Sequence, residues 1–287
     1  MHNRNLEIIE EEKKAVFFVN VVLILYVIIS IFFSISLKYF FYINLILTLI
    51  LSYIYFKTSK KVSKALILTN MFILFFFLSP VFFSFLHDLF GSKSYIIILL
   101  YNIFIASIFL FFSGFFHELF TGIKNFKFKL LLLVALIGFG TGFLFWLIKE
   151  PVPEVILNVG SGSIIFSTLS VALGSLIVAL SEQIIFVGFL YNSYKRLVSK
   201  KTAFYQVSTI FVLFHFLRIE SLLAFYKLNF GMFHIIFIVL YYLFLFFFMK
   251  IALYLYTFKG KKYSGNFVYP VVLHAMADFT LFFLYLF

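Results

Sequence analysis

No cysteine occurs anywhere in the 287 residues, which excludes a disulfide framework, a thiolate nucleophile and thiolate metal ligation. Charge is almost as scarce. Charged residues make up 12% of the chain, about half the share that a soluble domain carries. Acids are the scarcest charge, with 11 Asp and Glu against 23 Lys and Arg. No cleavable signal peptide is expected, because the N-terminus MHNRNLEIIEEEKK is polar and acidic and the first apolar run lacks a small-residue cleavage pattern after it. What is abundant is apolar bulk: 64% of residues are hydrophobic and 48 are phenylalanine. A water-soluble fold has no use for that many, whereas lipid accepts apolar side chains all round a helix. The expected fold class is therefore all-α, a polytopic membrane helix bundle. The formal charge of +12 raises nucleic acid as a partner, but the basic residues sit in short clusters between apolar runs. That placement points to the lipid bilayer as partner and away from nucleic acid.

A bilayer core takes about 20 apolar residues as helix. Runs of that kind fall near 15–37, 39–56, 65–86, 95–116, 130–148, 164–191, 203–217, 231–256 and 267–286, which predicts nine transmembrane helices. Lysine and arginine choose the side. With the N-terminus inside and the C-terminus outside, inner segments hold 17 basic residues, from Arg4 to the Lys259, Lys261 and Lys262 cluster, and outer segments hold five: Lys38, Lys93, Lys149, Arg218 and Lys227. Lys250 lies within a span near its inner end, where its long stem can snorkel. Residues 1–14 read as a polar cytoplasmic segment, 15–148 as N-terminal transmembrane helices and 164–286 as a core. The loop Lys149–Glu154, with Pro151 and Pro153, breaks the two halves. Leu6 to Lys14 reads either as an interfacial amphipathic helix or as a solvated tail.

Ionisable groups inside a bilayer cost at least about 2.5–3.5 kcal/mol each at mid-span and usually mark function. Only two acids, Glu182 and Asp278, fall in predicted spans. Three histidines do: His215, His234 and His274. Depth sorts them. At about 1.5 Å per residue, Glu182 lies about 20 Å from Lys195, His215 about 21 Å from Lys201 and His274 about 18 Å from Lys262. Asp278 is one turn beyond His274 on the same face. Three helices thus place polar side chains in one slab of membrane, while His234 sits near the outer end of its span. A cluster of this kind reads as a functional site more readily than as a structural polar knot. Beside it, Ser167, Gly174, Ser181 and Gly188 recur every seven residues, a narrow stripe of small residues that would bring a partner helix close to Glu182, or merely a packing seam.

Familiar intramembrane protease signatures do not fit. His117-Glu118 is followed by Leu119, Phe120 and Thr121, not by a zinc-binding histidine, and Gly138-Phe139-Gly140 runs into Thr141 where an aspartate would be needed. Gly160-Ser161-Gly162-Ser163 reads as linker. A different match is present. Ser181-Glu182-Gln183-Ile184-Ile185-Phe186-Val187-Gly188-Phe189-Leu190-Tyr191, then Phe211-Val212-Leu213-Phe214-His215, then Pro270 to Asp278 with His274-Ala275-Met276-Ala277-Asp278 at its end, together resemble the three ordered motifs of the CPBP family. That family covers type II CAAX prenyl endopeptidases, lysostaphin-resistance-protein-A-like proteins and bacteriocin-linked membrane proteins. The resemblance spans roughly residues 117–286 and is strongest from 181 onward. The family pattern is Glu-Glu-x-x-x-Arg, Phe-x-x-x-His and His-x-x-x-Asn or Asp. Gln183 stands where the second Glu is usual and Val187 where the Arg is, so one acid and one base are lost together.

The resemblance implies an intramembrane endopeptidase of a bacterial cytoplasmic membrane that cleaves a small peptide or a membrane-protein segment. Glu182 would be the general base on a water shared with His215, and His274 with Asp278 would stabilise the oxyanion. Gln183, Phe186 and Phe211, the flanking motif positions, are candidate substrate contacts. No cofactor is firmly implied. Two histidines and a carboxylate also make a zinc set, in which Glu182, His215 and His274 would leave an open position for water. The lost Glu and Arg leave a further reading open: a non-catalytic protein for bacteriocin resistance or immunity, or an envelope scaffold. A transporter using Glu182 and Asp278 as a proton relay is disfavoured, because no inverted repeat or pair of broken spans is visible.

Overall fold

The computed structural model describes residues 127–147, 164–197, 199–216, 232–257 and 266–286, with isolated positions between 89 and 111. The polar segment 1–14, the first four predicted spans apart from those positions, the loop 149–154, the linker at Gly160–Ser163 and His117 lie outside the described residues. All the regular structure among the described residues is helical. Six α-helices follow in chain order: α1 (Phe128–Leu147), α2 (Ile164–Gln183), α3 (Asn192–Leu197), α4 (Lys200–Phe216), α5 (Met232–Thr257) and α6 (Val268–Leu286). Between α2 and α3 the chain continues without a break as a π-helix, Ile184–Tyr191. Four stretches are long and apolar enough to cross a membrane: Phe128–Leu147, Ile164–Tyr191, Leu240–Thr257 and Val268–Leu286. The ends of the helices Phe128–Leu147, Lys200–Phe216, Met232–Thr257 and Val268–Leu286 and of the stretch Ile164–Tyr191 fall within about three residues of those that the apolar runs predict. The protein is a multi-pass membrane protein.

The centre of the bundle is the π-helix. Every residue from Gly188 back to Ser181 and on to Asn192 is buried, as expected of a helix that is apolar on all sides. Its i→i+5 pattern is wider than an α-helix and leaves carbonyls to be satisfied from elsewhere. Asn192 does this. Its Nδ2 donates to Gly188 O at 2.8 Å and to the Tyr256 hydroxyl at 3.0 Å, while Lys195 Nζ donates to its Oδ1 at 2.9 Å. One amide thereby closes the π turn and ties it to the end of α5. Just beyond, burial pushes the Tyr194 phenol up from its usual range, so it stays neutral.

The helix α6 is held mainly by α1 and α2. Lipid removes most of the hydrophobic drive for helix association, so close packing of small residues has to supply it. Gly138 and Gly142 of α1 do so. A Cβ on Gly138 would lie 2.5 Å from Leu273 O and 2.8 Å from Met276 Cβ, and one on Gly142 would collide with Ala277 O and Thr280 Cβ. Backbone meets backbone over a full turn. At the N-terminal end of α1, the Lys127 amide donates to the Tyr269 hydroxyl at 3.0 Å. The seven-residue stripe on α2 does not play this part at every position. Ser167, Ser181 and Gly188 are buried, but Gly174 faces open space with nothing within 4 Å of its would-be Cβ. The buried seam of α2 runs instead through Ser167, Val171, Ser175, Val178 and Glu182, because a strict heptad drifts about 20° around an α-helix with each repeat.

Candidate active site

Three helices each deliver polar groups to one point. Glu182 comes from the last turn of α2, His215 from the end of α4, and His274 and Asp278 from the middle of α6. Glu182 Oε2 lies 3.8 Å from His215 Nε2 and 3.8 Å from His274 Nε2. His274 Nε2 lies 3.6 Å from Asp278 Oδ2. The structure brings all four sequence-predicted residues together. The separations exceed the 2.7–3.2 Å of a direct hydrogen bond, and are short enough for the carboxylates and imidazoles to feel one another's charge strongly in a low-dielectric interior. Exposure grades across the site: the side chains of His215 and His274 are 5% exposed, Glu182 7% and Asp278 14%. Asp278 therefore marks the more open side. His234 lies in α5 and belongs to none of the three motifs.

The second nitrogen of each ring is also engaged. His215 Nδ1 is 2.9 Å from Phe211 O, and His274 Nδ1 is 2.9 Å from Gln183 Nε2. Aromatic rings pack behind them. Phe211 stacks tilted on His215 at 4.3 Å between centroids and meets His274 edge-on at 6.2 Å, Phe248 of α5 meets His274 edge-on at 5.3 Å, and Phe186 meets Phe211 edge-on at 5.0 Å. Such contacts hold rings in place beyond simple area burial. Gln183, Phe186 and Phe211 are each fully buried; Gln183 and Phe211 contact the imidazoles, and Phe186 packs on Phe211. Phe248 was not singled out from the sequence, since one phenylalanine in a run of three carries no positional signal. Val187, at the position of the family's arginine, is fully buried as well, and an arginine there would need a charged partner. Among the described residues no group of three or more His, Asp or Glu side chains is arranged to hold a metal ion.

The stretch that contains all four polar residues has an independent match. Residues 163–280 fit the family model for Rce1-like type II CAAX prenyl endopeptidases. The segment is an Rce1-like domain. Its limits enclose α2, the π-helix, α3, α4, α5 and the part of α6 that carries His274 and Asp278, in keeping with the CPBP resemblance of the three motifs. Over this segment, less than half of the chain, the match supports a CAAX-type intramembrane peptidase at the coarse level. The Rce1-like domain leaves out α1, so the glycine contacts against α6 come from a helix outside the matched segment. No curated protein and no solved structure matches the chain.

Proposed function

We propose that the protein hydrolyses a peptide bond within the membrane, with Glu182 as general base. The observation that carries this reading is the position of Glu182 Oε2, 3.8 Å from the Nε2 atoms of both His215 and His274. A water placed between Glu182 Oε2 and either Nε2 is within hydrogen-bond reach of both atoms of that pair. Glu182 takes its proton as the oxygen attacks the scissile carbonyl, His274 with Asp278 steadies the charge that develops on the carbonyl oxygen, and Glu182 then returns the proton to the leaving amine as the C–N bond breaks. Asp278, the most exposed of the four, lies on the side from which the peptide enters. Phe186, Phe211 and Gln183 form the wall behind the reacting groups. The substrate class is a small peptide or a membrane-protein segment in a bacterial cytoplasmic membrane. The N-terminus lies inside, the C-terminus outside, with four spans ahead of α1, and residues 164–286 form the catalytic core.

The departures at Gln183 and Val187 favour one competing reading, a non-catalytic member that serves bacteriocin immunity or envelope scaffolding. The variant Glu182→Gln separates the two. Purified protein in lipid nanodiscs is expected to release fragments from a peptide library, and Glu182→Gln to lower that rate on the order of 10²- to 10⁴-fold, the range of a lost general base. Unchanged cleavage, or a resistance phenotype that survives Glu182→Gln in cells, would reject the peptidase reading. Activity that persists in a strong chelator is expected from glutamate catalysis; its complete loss, with recovery on adding zinc, would instead assign Glu182, His215 and His274 to a metal.

A further inference from the structure

The two imidazoles beside Glu182 differ in what their second nitrogen meets. His215 Nδ1 faces the Phe211 carbonyl at 2.9 Å. A carbonyl has no hydrogen to give, so Nδ1 is the donor, and on a neutral ring Nε2 then carries the lone pair. His274 Nδ1 faces Gln183 Nε2, also at 2.9 Å. An amide nitrogen donates and does not accept, so here Nδ1 is the acceptor and Nε2 holds the proton. The two carboxylates beside His274 Nε2 favour this orientation of the amide, which leaves Gln183 Oε1 without a hydrogen-bond partner among the described residues. Turning it over would set Gln183 Oε1 against an Nδ1–H and aim the Nε2 lone pair of His274 at Glu182 Oε2, 3.8 Å away, and at Asp278 Oδ2, 3.6 Å away. Acceptor would then face acceptor on two sides in a buried pocket, where electrostatic mismatches weigh most.

We infer that Gln183 is a positioning residue that fixes His274 in the Nε2–H tautomer, opposite to the tautomer that the Phe211 carbonyl imposes on His215. Glu182 then lies between a hydrogen-bond donor and a hydrogen-bond acceptor. The pocket is directional: His215 Nε2 accepts from a water, while His274 Nε2–H donates to a carbonyl oxygen. The tautomers stand on hydrogen-bond chemistry alone, and their catalytic consequence rests on the peptidase reading above. Glutamine also becomes a defined choice at 183. A carboxylate there would only accept, would draw the proton to Nδ1, and would put a third acid around one imidazole with the valine of position 187 unable to balance it.

Nitrogen-15 NMR of histidine-labelled protein in nanodiscs reads each ring nitrogen directly, with the His274 signals identified by their loss in His274→Gln. At a pH where both rings are neutral, wild-type protein is expected to show His215 protonated at Nδ1 and His274 at Nε2. Gln183→Glu is expected to move the His274 proton to Nδ1, and Gln183→Leu, which neither donates nor accepts, to leave a mixture. A wild-type His274 already protonated at Nδ1 would overturn the inference, as would a His274 pattern unchanged in both variants. With a cleavable peptide in hand, Gln183→Glu is expected to lower kcat on the order of 10²-fold with KM changed far less, the mark of a group that acts at the transition state. Opposite tautomers in a protein that cleaves nothing would leave the inference standing and reject the peptidase reading, so the two fail separately.

Discussion

The two faces of α6 are built to opposite rules. Toward α1, Gly138 and Gly142 let backbone approach backbone until no extra carbon fits. Toward α2, His274 hydrogen-bonds Gln183 at 2.9 Å through Nδ1 but holds Glu182 Oε2 3.8 Å from Nε2, beyond direct hydrogen-bond length. The first face has no tolerance, and on the second the ionisable groups stand just apart from one another. The contrast teaches how a membrane bundle can keep a reactive gap open. Lipid-facing helices slide and tilt at modest cost, and a gap of one water between three helices survives only if something else fixes their spacing. In this chain the tight face sets the position of α6, and the loose face inherits it.

The comparison can be broken from either side. On the loose face, His215→Gln is expected to lower peptide cleavage on the order of 10²- to 10⁴-fold, with little change in thermal unfolding of the detergent-solubilised protein. A large fall in stability would recast His215 as a structural group. On the tight face, Gly142→Leu is expected to cost about 1–3 kcal/mol through overpacking and to lower activity as well, although residue 142 touches none of the four polar side chains in the contacts described. Unaltered activity in a destabilised Gly142→Leu protein would show that the two faces are independent. A smaller effect is expected from Asp278→Asn, which keeps shape and supplies the residue that the family pattern also accepts: activity within about tenfold of wild type, because the amide oxygen can still accept where Asp278 Oδ2 faces His274 Nε2. The smallest belongs to Gly140→Ala. Nothing lies within 4 Å of its would-be Cβ, so the change should stabilise α1 by up to about 1 kcal/mol through helix propensity, and a loss would mean that a neighbour occupies that space.

The parts of this arrangement that were legible in the sequence are those written in run length and in the rarity of charge. Apolar runs marked the ends of α1, α2, α4, α5 and α6 because the bilayer sets helix length directly. Glu182, His215, His274 and Asp278 stood out because ionisable groups are expensive in hydrocarbon, and equal depth is a matter of counting. Other features carry no such signature. Gly138 and Gly142 sit in plain view as a four-residue repeat, but that spacing says only that a close approach is possible, not which helix makes it, and the heptad of small residues on α2 gave the same signal with Gly174 facing outward. The Gln183–His274 hydrogen bond joins residues 91 positions apart and depends on the rotation of both helices. The π-helix has no compositional mark at all, since Ile, Val, Phe and Leu fill α-helical turns equally well. Its effect on the depth count is to shorten the rise between Glu182 and Lys195 below the α-helical value.

That π-helix has a consequence for how the chain tolerates change in length. Wide turns store surplus backbone, so removing one residue between Ile184 and Tyr191 would let the stretch tighten into ordinary α-helix. Everything before it, Glu182 included, and everything after it would keep nearly the same bearing, because the wide turns had absorbed the extra residue. Asn192 would still face Tyr256, drawn closer to Glu182 along the axis. The wide turns therefore act as a length buffer, letting the acid and the amide ten residues on hold their aims while the chain between them carries one residue more than an α-helix needs.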